Sequence, residues 1–193
     1  MSWEQMELFS DKDLGITPKI IGLTGYARSG KDTVANILVE EHGYIRIGFA
    51  DAIRDFLLKL NPILMDGHRL GEYVGLYGWE VAKAQDEVRR LLQETGMAAR
   101  QIFGEDFWVE QVLQKIGPTD NVVIPDVRFK NEAHIISFLS GQLWRVNRPG
   151  VGPANSHISE SDLDDYAVAH VIDNSKSILD LKNIVDGILS IHV

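Results

Sequence analysis

Two kinds of hydrophobic pattern alternate along this chain of 193 residues. Short apolar runs bounded by polar or turn-forming residues are typical of buried parallel strands, and they occur at 19–24, 44–49, 122–124, 143–146 and 168–172. Segments whose apolar side chains recur every three or four positions predict helices at 31–42, 51–60, 86–100, 105–116, 131–139 and 177–189. Residues 62–85, rich in glycine and aromatic residues, show neither pattern.

This alternation predicts an α/β fold in which a parallel sheet is flanked by helices. Right-handed crossover connections bring the carboxyl ends of such strands to one edge of the sheet, where ligands bind. The chain length suits a single domain over residues 19–193, preceded by an acidic N-terminal extension over residues 1–18.

The segment between the first strand and the first helix has the sequence Gly-x-x-x-x-Gly-Lys, from Gly25 to Lys31. Glycines allow backbone N–H groups to curve around an anion, and the following helix adds the positive end of its dipole. A lysine at the end of this loop adds a full charge near the β- and γ-phosphates. The context therefore predicts a phosphate loop (P-loop) that binds a nucleoside triphosphate through Gly25, Ala27, Arg28, Ser29, Gly30, Lys31, Asp32 and Thr33.

The residue after the lysine departs from the commonest form of this loop. Asp32 stands where Ser or Thr normally supplies a magnesium ligand, and Thr33 follows one position later, as in many small-molecule kinases with a P-loop. Two interpretations of Asp32 stay open. It contacts magnesium through water, or it only stabilises the first helical turn, where the helix dipole favours an acidic side chain.

A second acidic residue, Asp126, follows the apolar run 122–124 and Pro125. In P-loop proteins an acid at such a strand end binds magnesium or its waters, and in a kinase it can instead orient the attacking oxygen. The structural alternative is an N-cap for the next helix, since aspartate is common there. The P-loop upstream favours a functional role.

Phosphoryl transfer spreads negative charge over several oxygens, so its enzymes gather cations. Arg28 and Arg128 lie within the two motifs, and Arg148 begins a polar segment over about 148–165 that we expect to form a lid. Neighbours on a helix point about 100° apart, so only one of Arg89 and Arg90 is expected to face a ligand. The other candidates are Arg54 and Arg145.

Composition narrows the class of ligand. The net charge is -9, and the sequence contains no basic cluster, which argues against a nucleic-acid partner. A few dispersed arginines in an acidic protein favour a small anionic ligand instead. The chain has no cysteine, which excludes disulfides and thiolate metal sites. No apolar run approaches the roughly 20 residues needed to cross a membrane, and the N-terminus lacks the features of a signal peptide, so we expect a cytoplasmic protein.

A set of motifs in a fixed order resembles the deoxynucleoside monophosphate kinases of tailed bacteriophages, from about Ile20 to the C-terminus. The phosphate loop is followed by Arg54, by the pair Arg89-Arg90, by Pro125-Asp126-Val127-Arg128, by Arg148-Pro149-Gly150, by His157-Ile158-Ser159-Glu160 and by Asp173-Asn174. The resemblance implies a five-stranded parallel core of the nucleoside-monophosphate-kinase type, with an acceptor-binding insertion over about 50–100 and a lid.

The implied activity is an ATP- and magnesium-dependent phosphorylation of a deoxynucleoside monophosphate, in the host cytoplasm if the protein is phage-encoded. Lys31, Arg28, Asp126, Arg128 and Arg148 would then be catalytic, and magnesium would be bound by Asp32, Thr33 and Asp126, directly or through water. The acceptor would be bound by Arg54, Arg89, Arg90, Asp126 and Arg128, and Asn174 would lie near the adenine. The sequence leaves the oligomeric state open, with a homodimer as one expectation.

Departures from the family pattern concern the acceptor side. Asp51-Ala52 replaces a Gly-Pro pair, Met97 stands where threonine is expected, and the stretch between Leu60 and Asp86 is short. Other P-loop kinases, of the phosphomevalonate or dephospho-coenzyme A type, therefore remain alternatives, as does a nucleotide-binding module without catalytic activity.

Overall fold

The computed structural model describes residues 18–153 and 158–190. The five strands of the sheet are β1 (Lys19–Thr24), β2 (Ile45–Arg46), β3 (Asn121–Ile124), β4 (Gln142–Asn147) and β5 (His170–Asp173). The α-helices among the described residues are α1 (Lys31–His42), α2 (Phe49–Leu60), α3 (Leu70–Ala82), α4 (Asp86–Phe103), α5 (Phe107–Leu113), α6 (Lys130–Phe138) and α7 (Ile178–Ser190).

All strand pairs are parallel, and the order across the sheet is β2-β3-β1-β4-β5. β1 therefore lies at the centre, between β3 and β4. The loop that follows β1 leaves the sheet at the edge where the polypeptide also leaves β3 and β4. This parallel sheet, with the phosphate loop between its central strand and α1, confirms the predicted α/β fold of the P-loop NTPase class.

The chain divides into two compact units. The first unit contains the sheet and comprises the described residues up to Gly48 and from Gln114 onward. On one face of the sheet, α1 and α7 pack over a core cluster that includes Leu23, Leu38 and Trp144. On the other face α6 covers β1 and β4, so closely that a Cβ on Gly22 would lie 2.5 Å from Ile136 Cδ1.

The second unit, Phe49–Leu113, is helical and has its own core. Leu57, Leu70 and Val88 are buried together there, with three other residues. The indole N–H of Trp108 donates to Gly96 O at 2.9 Å, which joins α5 to α4. Because this hydrogen bond is buried, it is electrostatically stronger than the same bond in water.

Three elements differ from the predicted ones. β2 has two residues rather than six because the chain turns after Ile47, whose N–H still bonds to β3, and Phe49 already begins α2. The unassigned stretch 62–85 contains α3, whose backbone departs from helical geometry at Gly78. α5 is shorter than the predicted helix 105–116.

Some predicted features fall outside the described residues. Nothing is described of residues 1–17, and His157 and the Glu160 side chain in the predicted lid are likewise outside the description. Among the residues that the structure describes, no helix is both long and apolar enough to cross a membrane.

Candidate active site

Glycine is required at Gly25 by the backbone of the phosphate loop and by its packing. The residue has φ +131°, and a Cβ there would lie 2.4 Å from the carbonyl oxygen of Val146. Gly30, at the other end of the loop, has φ +108°. Within the loop, Ser29 N donates to Tyr26 O at 3.1 Å. The loop is therefore a closed turn that packs directly against β4, next to the first N–H groups of α1.

The Lys31 side chain folds back onto this turn. Its ammonium group donates to Gly25 O at 2.6 Å and to Tyr26 O at 2.8 Å. These contacts place the positive charge on the loop itself, where backbone N–H groups and the dipole of α1 also favour an anion.

One buried hydroxyl of the loop is unsatisfied. Ser29 is only 1% exposed, and its Oγ has no hydrogen-bond partner among the described residues. A buried hydroxyl without a partner costs free energy, and native proteins generally avoid it. This hydroxyl, the lysine and the helix N-terminus together fit a bound polyphosphate.

Asp32 is ion-paired across the edge of the sheet. Its carboxylate accepts a hydrogen bond from the guanidinium of Arg46 on β2, which also donates to Asn36 Oδ1 at 3.3 Å. The Asp32 side chain is nevertheless 71% exposed. Thr33 is half-buried in the first turn of α1. Magnesium binding by Asp32 and Thr33 stays a prediction, and Arg46 is a neighbour of the site that the spacing of motifs did not indicate.

Asp126 leaves the sheet beside the phosphate loop. Val127, the next residue, donates its N–H to Leu23 O on β1 at 3.2 Å. The carboxylate of buried Glu132 accepts from Arg128 N at 2.7 Å and from Phe129 N at 3.0 Å. Glu132 therefore satisfies these N–H groups at the start of α6. This makes the alternative role of Asp126 as an N-cap less necessary, while its functional role stays a prediction.

The described part of the predicted lid lies against the site. The Tyr26 hydroxyl donates to Asp164 Oδ2 at 3.0 Å, and Arg145 donates to Asp164 O at 2.9 Å and to Tyr166 O at 3.2 Å. Lys130 N donates to Asp162 Oδ2 at 2.9 Å. The hydrogen bond to Asp164 raises the pKa of Tyr26, with a further contribution from burial. Arg145 thus anchors residues 163–166 beside the phosphate loop.

These groups enclose a cavity of about 210 Å³. Its polar lining comes from four segments, and includes Tyr26, Lys31, Arg128, Arg145, Ser159 and Asp164. Three of these side chains are cationic and one is acidic. The cavity is therefore suited to an anionic group that reaches the lysine end of the loop.

The other predicted residues of the first unit occupy different positions. Arg28, with φ +67°, and Arg148 are exposed. Arg128 is also exposed, and its guanidinium is 3.5 Å from Ser159 Oγ. Asn174 contacts the phosphate loop itself, since its side-chain nitrogen donates to Ser29 O at 2.8 Å. A contact between Asn174 and adenine stays a prediction.

The remaining predicted arginines belong to the second unit. Arg54 donates to Asp51 Oδ1 at 3.1 Å, and its guanidinium carbon lies 5.6 Å from the centre of the Trp79 ring. Its Nε is buried without a hydrogen-bond partner in the described chain. Arg90 pairs with Glu94 at 3.1 Å, whereas Arg89 is exposed. Their role in binding an acceptor stays a prediction.

Comparisons with known proteins agree with the kind of chemistry that this geometry suggests. Residues 79–185 match the model of the family described as deoxynucleotide monophosphate kinase. The chain is also 31% identical over 166 residues to the "Putative deoxynucleotide monophosphate kinase" of Acanthamoeba polyphaga mimivirus, with 75% of this chain and 81% of the relative covered.

Two solved structures of kinases match most of the chain at low identity. Dephospho-CoA kinase from Campylobacter jejuni is 14% identical, with a TM-score of 0.47 and coverage of 90% of this chain and 96% of that chain. Shikimate kinase from Aquifex aeolicus is also 14% identical, with a TM-score of 0.44 and coverage of 89% and 96%. The assignment of the fold rests on the sheet order and the phosphate loop.

Proposed function

Since this chain belongs to the deoxynucleotide monophosphate kinase family, we propose that it transfers the γ-phosphoryl group of ATP to a deoxynucleoside 5′-monophosphate. An oxygen of the acceptor phosphate forms a bond to the γ-phosphorus while the bond to the β–γ bridging oxygen breaks. The products are ADP and the deoxynucleoside diphosphate. The observation that carries the proposal is the closed phosphate loop, with Lys31 folded onto it and Asp126 leaving the neighbouring strand.

The loop supports binding of the triphosphate by groups that are already in place. Lys31 exchanges its two carbonyl partners for phosphate oxygens, and the N-terminus of α1 contributes the positive end of its dipole. The backbone N–H groups of the loop and the Lys31 ammonium stabilise the negative charge that develops on the β–γ bridging oxygen as the bond breaks. Because these groups are fixed before the reaction, little reorganisation is needed in the transition state.

Magnesium would be held by Thr33 and Asp126, with Asp32 as a further candidate through water. The oxygen atoms of these side chains suit this hard cation, which would supply positive charge to neutralise the phosphates. Arg46 competes for Asp32 in this structure, so we assign Asp32 to the outer layer of the site.

The acceptor phosphate is proposed to bind to Arg54 and to one of Arg89 and Arg90, with Arg128 and Arg148 completing the positive charge around the transferred group. Arginine is suited to this role because its planar guanidinium binds two phosphate oxygens at once. The assignment of Arg54 to the acceptor is supported by the orientation of its side chain, since Asp51 and Trp79 contact its guanidinium. Positioning and charge stabilisation account for the rate, and no covalent enzyme intermediate is required.

The test is ADP release from ATP and magnesium in the presence of dTMP, dGMP, dCMP, dAMP, the ribonucleotides, phosphomevalonate or dephospho-coenzyme A. We expect one or more deoxynucleotides to stimulate turnover well above the rate without acceptor. Stimulation only by a non-nucleotide acceptor would reject the proposed substrate class. Binding of ATP with no stimulation by any acceptor would instead indicate a module without transferase activity.

A further inference from the structure

The backbone of Asn174 is fixed by the sheet. Asn174 follows β5, whose last residue, Asp173, pairs with Asn147 of β4. The N–H of Asn174 donates to Asn147 O at 2.7 Å, which continues the hydrogen bonding of these two strands by one residue. Its side chain therefore starts from a rigid position next to the phosphate loop.

The side-chain amide of Asn174 determines the direction of one peptide group in that loop. Its nitrogen donates to Ser29 O at 2.8 Å, between residues 145 positions apart in sequence. The Ser29–Gly30 peptide is trans and planar, so the Gly30 N–H points opposite to the Ser29 carbonyl and away from Asn174. The Gly30 N–H donates to no group within the described part of the chain.

Gly30 also makes the contact sterically possible. A Cβ at this position would lie 2.2 Å from the Asn174 amide nitrogen, which is far inside van der Waals contact. The second glycine of the motif thus provides both the positive φ of the turn and the space that the asparagine occupies.

We propose that Asn174 is a positioning residue, which fixes the Ser29–Gly30 peptide with its N–H toward the bound phosphates and so increases the affinity for polyphosphate. This inference rests on the proposed function only in that the loop binds the triphosphate of ATP. It differs from a contact between Asn174 and adenine, because the bond to Ser29 O uses only one of the two hydrogens of the side-chain amide. Binding of tripolyphosphate, which has no base, therefore distinguishes the two roles.

Binding measurements without acceptor separate the two roles. The probes are inorganic tripolyphosphate, ATP and GTP, each with magnesium, titrated calorimetrically into the wild-type protein, Asn174→Ala and Asn174→Asp. We expect Asn174→Ala to weaken all three by a similar factor of about five- to tenfold, the usual effect of losing one hydrogen bond. Asn174→Asp should weaken them at least as much, since a carboxylate cannot donate to Ser29 O and adds negative charge.

Ser175→Ala is the matched control. Ser175 is the next residue, is exposed, and bonds to Asp173 Oδ2 at 2.9 Å rather than to the loop. It should leave all three dissociation constants unchanged. Thermal unfolding of each variant checks that it is folded. If Asn174→Ala is not folded, the isosteric Asn174→Asp is the variant that tests the proposal.

Three results would overturn the proposal. A loss confined to one or both nucleotides, with tripolyphosphate unchanged, would assign Asn174 to base recognition, and unchanged binding of all probes would leave it with a structural role, whatever its melting temperature. Failure of tripolyphosphate to bind the wild-type protein would also reject it. None of these results depends on an acceptor, so a negative acceptor panel would reject the proposed kinase activity while the tripolyphosphate comparison still decided the role of Asn174.

Discussion

The two compact units orient their candidate functional groups by different means. In the first unit, Lys31 begins the helix after the phosphate loop, and Asp126 lies in the turn after β3. Backbone carbonyls of the loop accept from the Lys31 ammonium, and Val127, next to Asp126, bonds to β1. In the second unit, Arg54 projects from a helix and is oriented by two other side chains, Asp51 and Trp79. A single substitution can remove the side-chain contacts that orient Arg54. The backbone contacts of a strand end and its turn depend on the whole sheet.

This difference leads us to expect a division of labour. Substitutions on the turns of the first unit should lower the rate with every acceptor, because they remove interactions with the transferred phosphoryl group. Substitutions in the second unit should change the KM for the acceptor and the choice among acceptors. A variant in the second unit that lowered the rate without affecting the acceptor KM would remove the distinction.

Lys31→Ala should have the largest effect. The ammonium lies on the loop and would be the nearest full positive charge to the phosphates, so we expect kcat to fall on the order of 10³-fold or more with every acceptor. Steady-state kinetics measure this loss, and circular dichroism should show an intact fold.

The control for that variant is Lys19→Ala, which removes an exposed lysine from the other end of β1. It should retain wild-type kinetics. Near-normal turnover of Lys31→Ala would refute the assignment of the phosphate loop.

Asp126→Asn should have the next largest effect. The change keeps the shape of the side chain but removes its charge, so we expect kcat to fall on the order of 10²-fold, the typical cost of one electrostatic contributor. The loss of rate should appear with every acceptor. The dependence of kcat on magnesium concentration should also differ from that of the wild type.

Asp120→Asn makes the same chemical change just before β3, where Asp120 Oδ2 accepts from Gly117 N at 2.8 Å. This variant should be fully active. If Asp126→Asn keeps the wild-type rate but melts at a lower temperature, Asp126 has only a capping role.

Arg54→Ala tests the second unit and should have a smaller effect of another kind. Loss of one charge-assisted contact to phosphate should raise the KM for the acceptor on the order of 10- to 100-fold. The KM for ATP should change little. Arg54→Lys should recover only part of the loss, because lysine lacks the planar guanidinium that lies over the Trp79 ring.

Arg69→Ala is the control in the same unit, since Arg69 is exposed and bonds to the backbone of Asn61 at 3.0 Å. Equal increases in the KM for ATP and for the acceptor with Arg54→Ala would contradict a role on the acceptor side.

The same contrast explains how much of the fold was predictable from the sequence. The bounds predicted for α1 agree with the structure because Gly30 and Gly43, both with positive φ, flank an apolar face. α3 was not predicted, since Gly71, Gly75 and Gly78 weaken the helical pattern. Burial of Leu70 and Tyr73 in the core of the second unit overrides that low intrinsic preference.

The site divides in the same way. The phosphate loop and Asp126 were predictable because local spacing after a strand identifies them. The contacts of Arg46 with Asp32 and of Asp164 with Tyr26 join residues 14 and 138 positions apart, and no spacing rule indicates such pairs. They arise only when the order of the strands brings separate segments to one edge of the sheet.

The smallest predicted effect is a pH-dependent change in stability. His42 Nε2 lies 2.9 Å from Asp186 Oδ1, and this contact joins α1, which follows the phosphate loop, to α7. The hydrogen bond to His42 lowers the pKa of Asp186, with Lys182 contributing further. A carboxylate with a lowered pKa contributes stability above its unfolded pKa and loses it as the pH falls through the folded value.

Asp186→Asn should therefore lower the melting temperature slightly at pH 7, and the difference from wild type should shrink as the pH falls below about 4. Differential scanning calorimetry over this pH range measures the difference. Glu80→Gln, which removes an exposed ion pair with Lys83 at the C-terminal end of α3, should change the melting temperature less. If the melting temperature of Asp186→Asn stayed below that of the wild type by a constant amount down to pH 3, the charge of the Asp186 carboxylate would not stabilise the contact between α1 and α7.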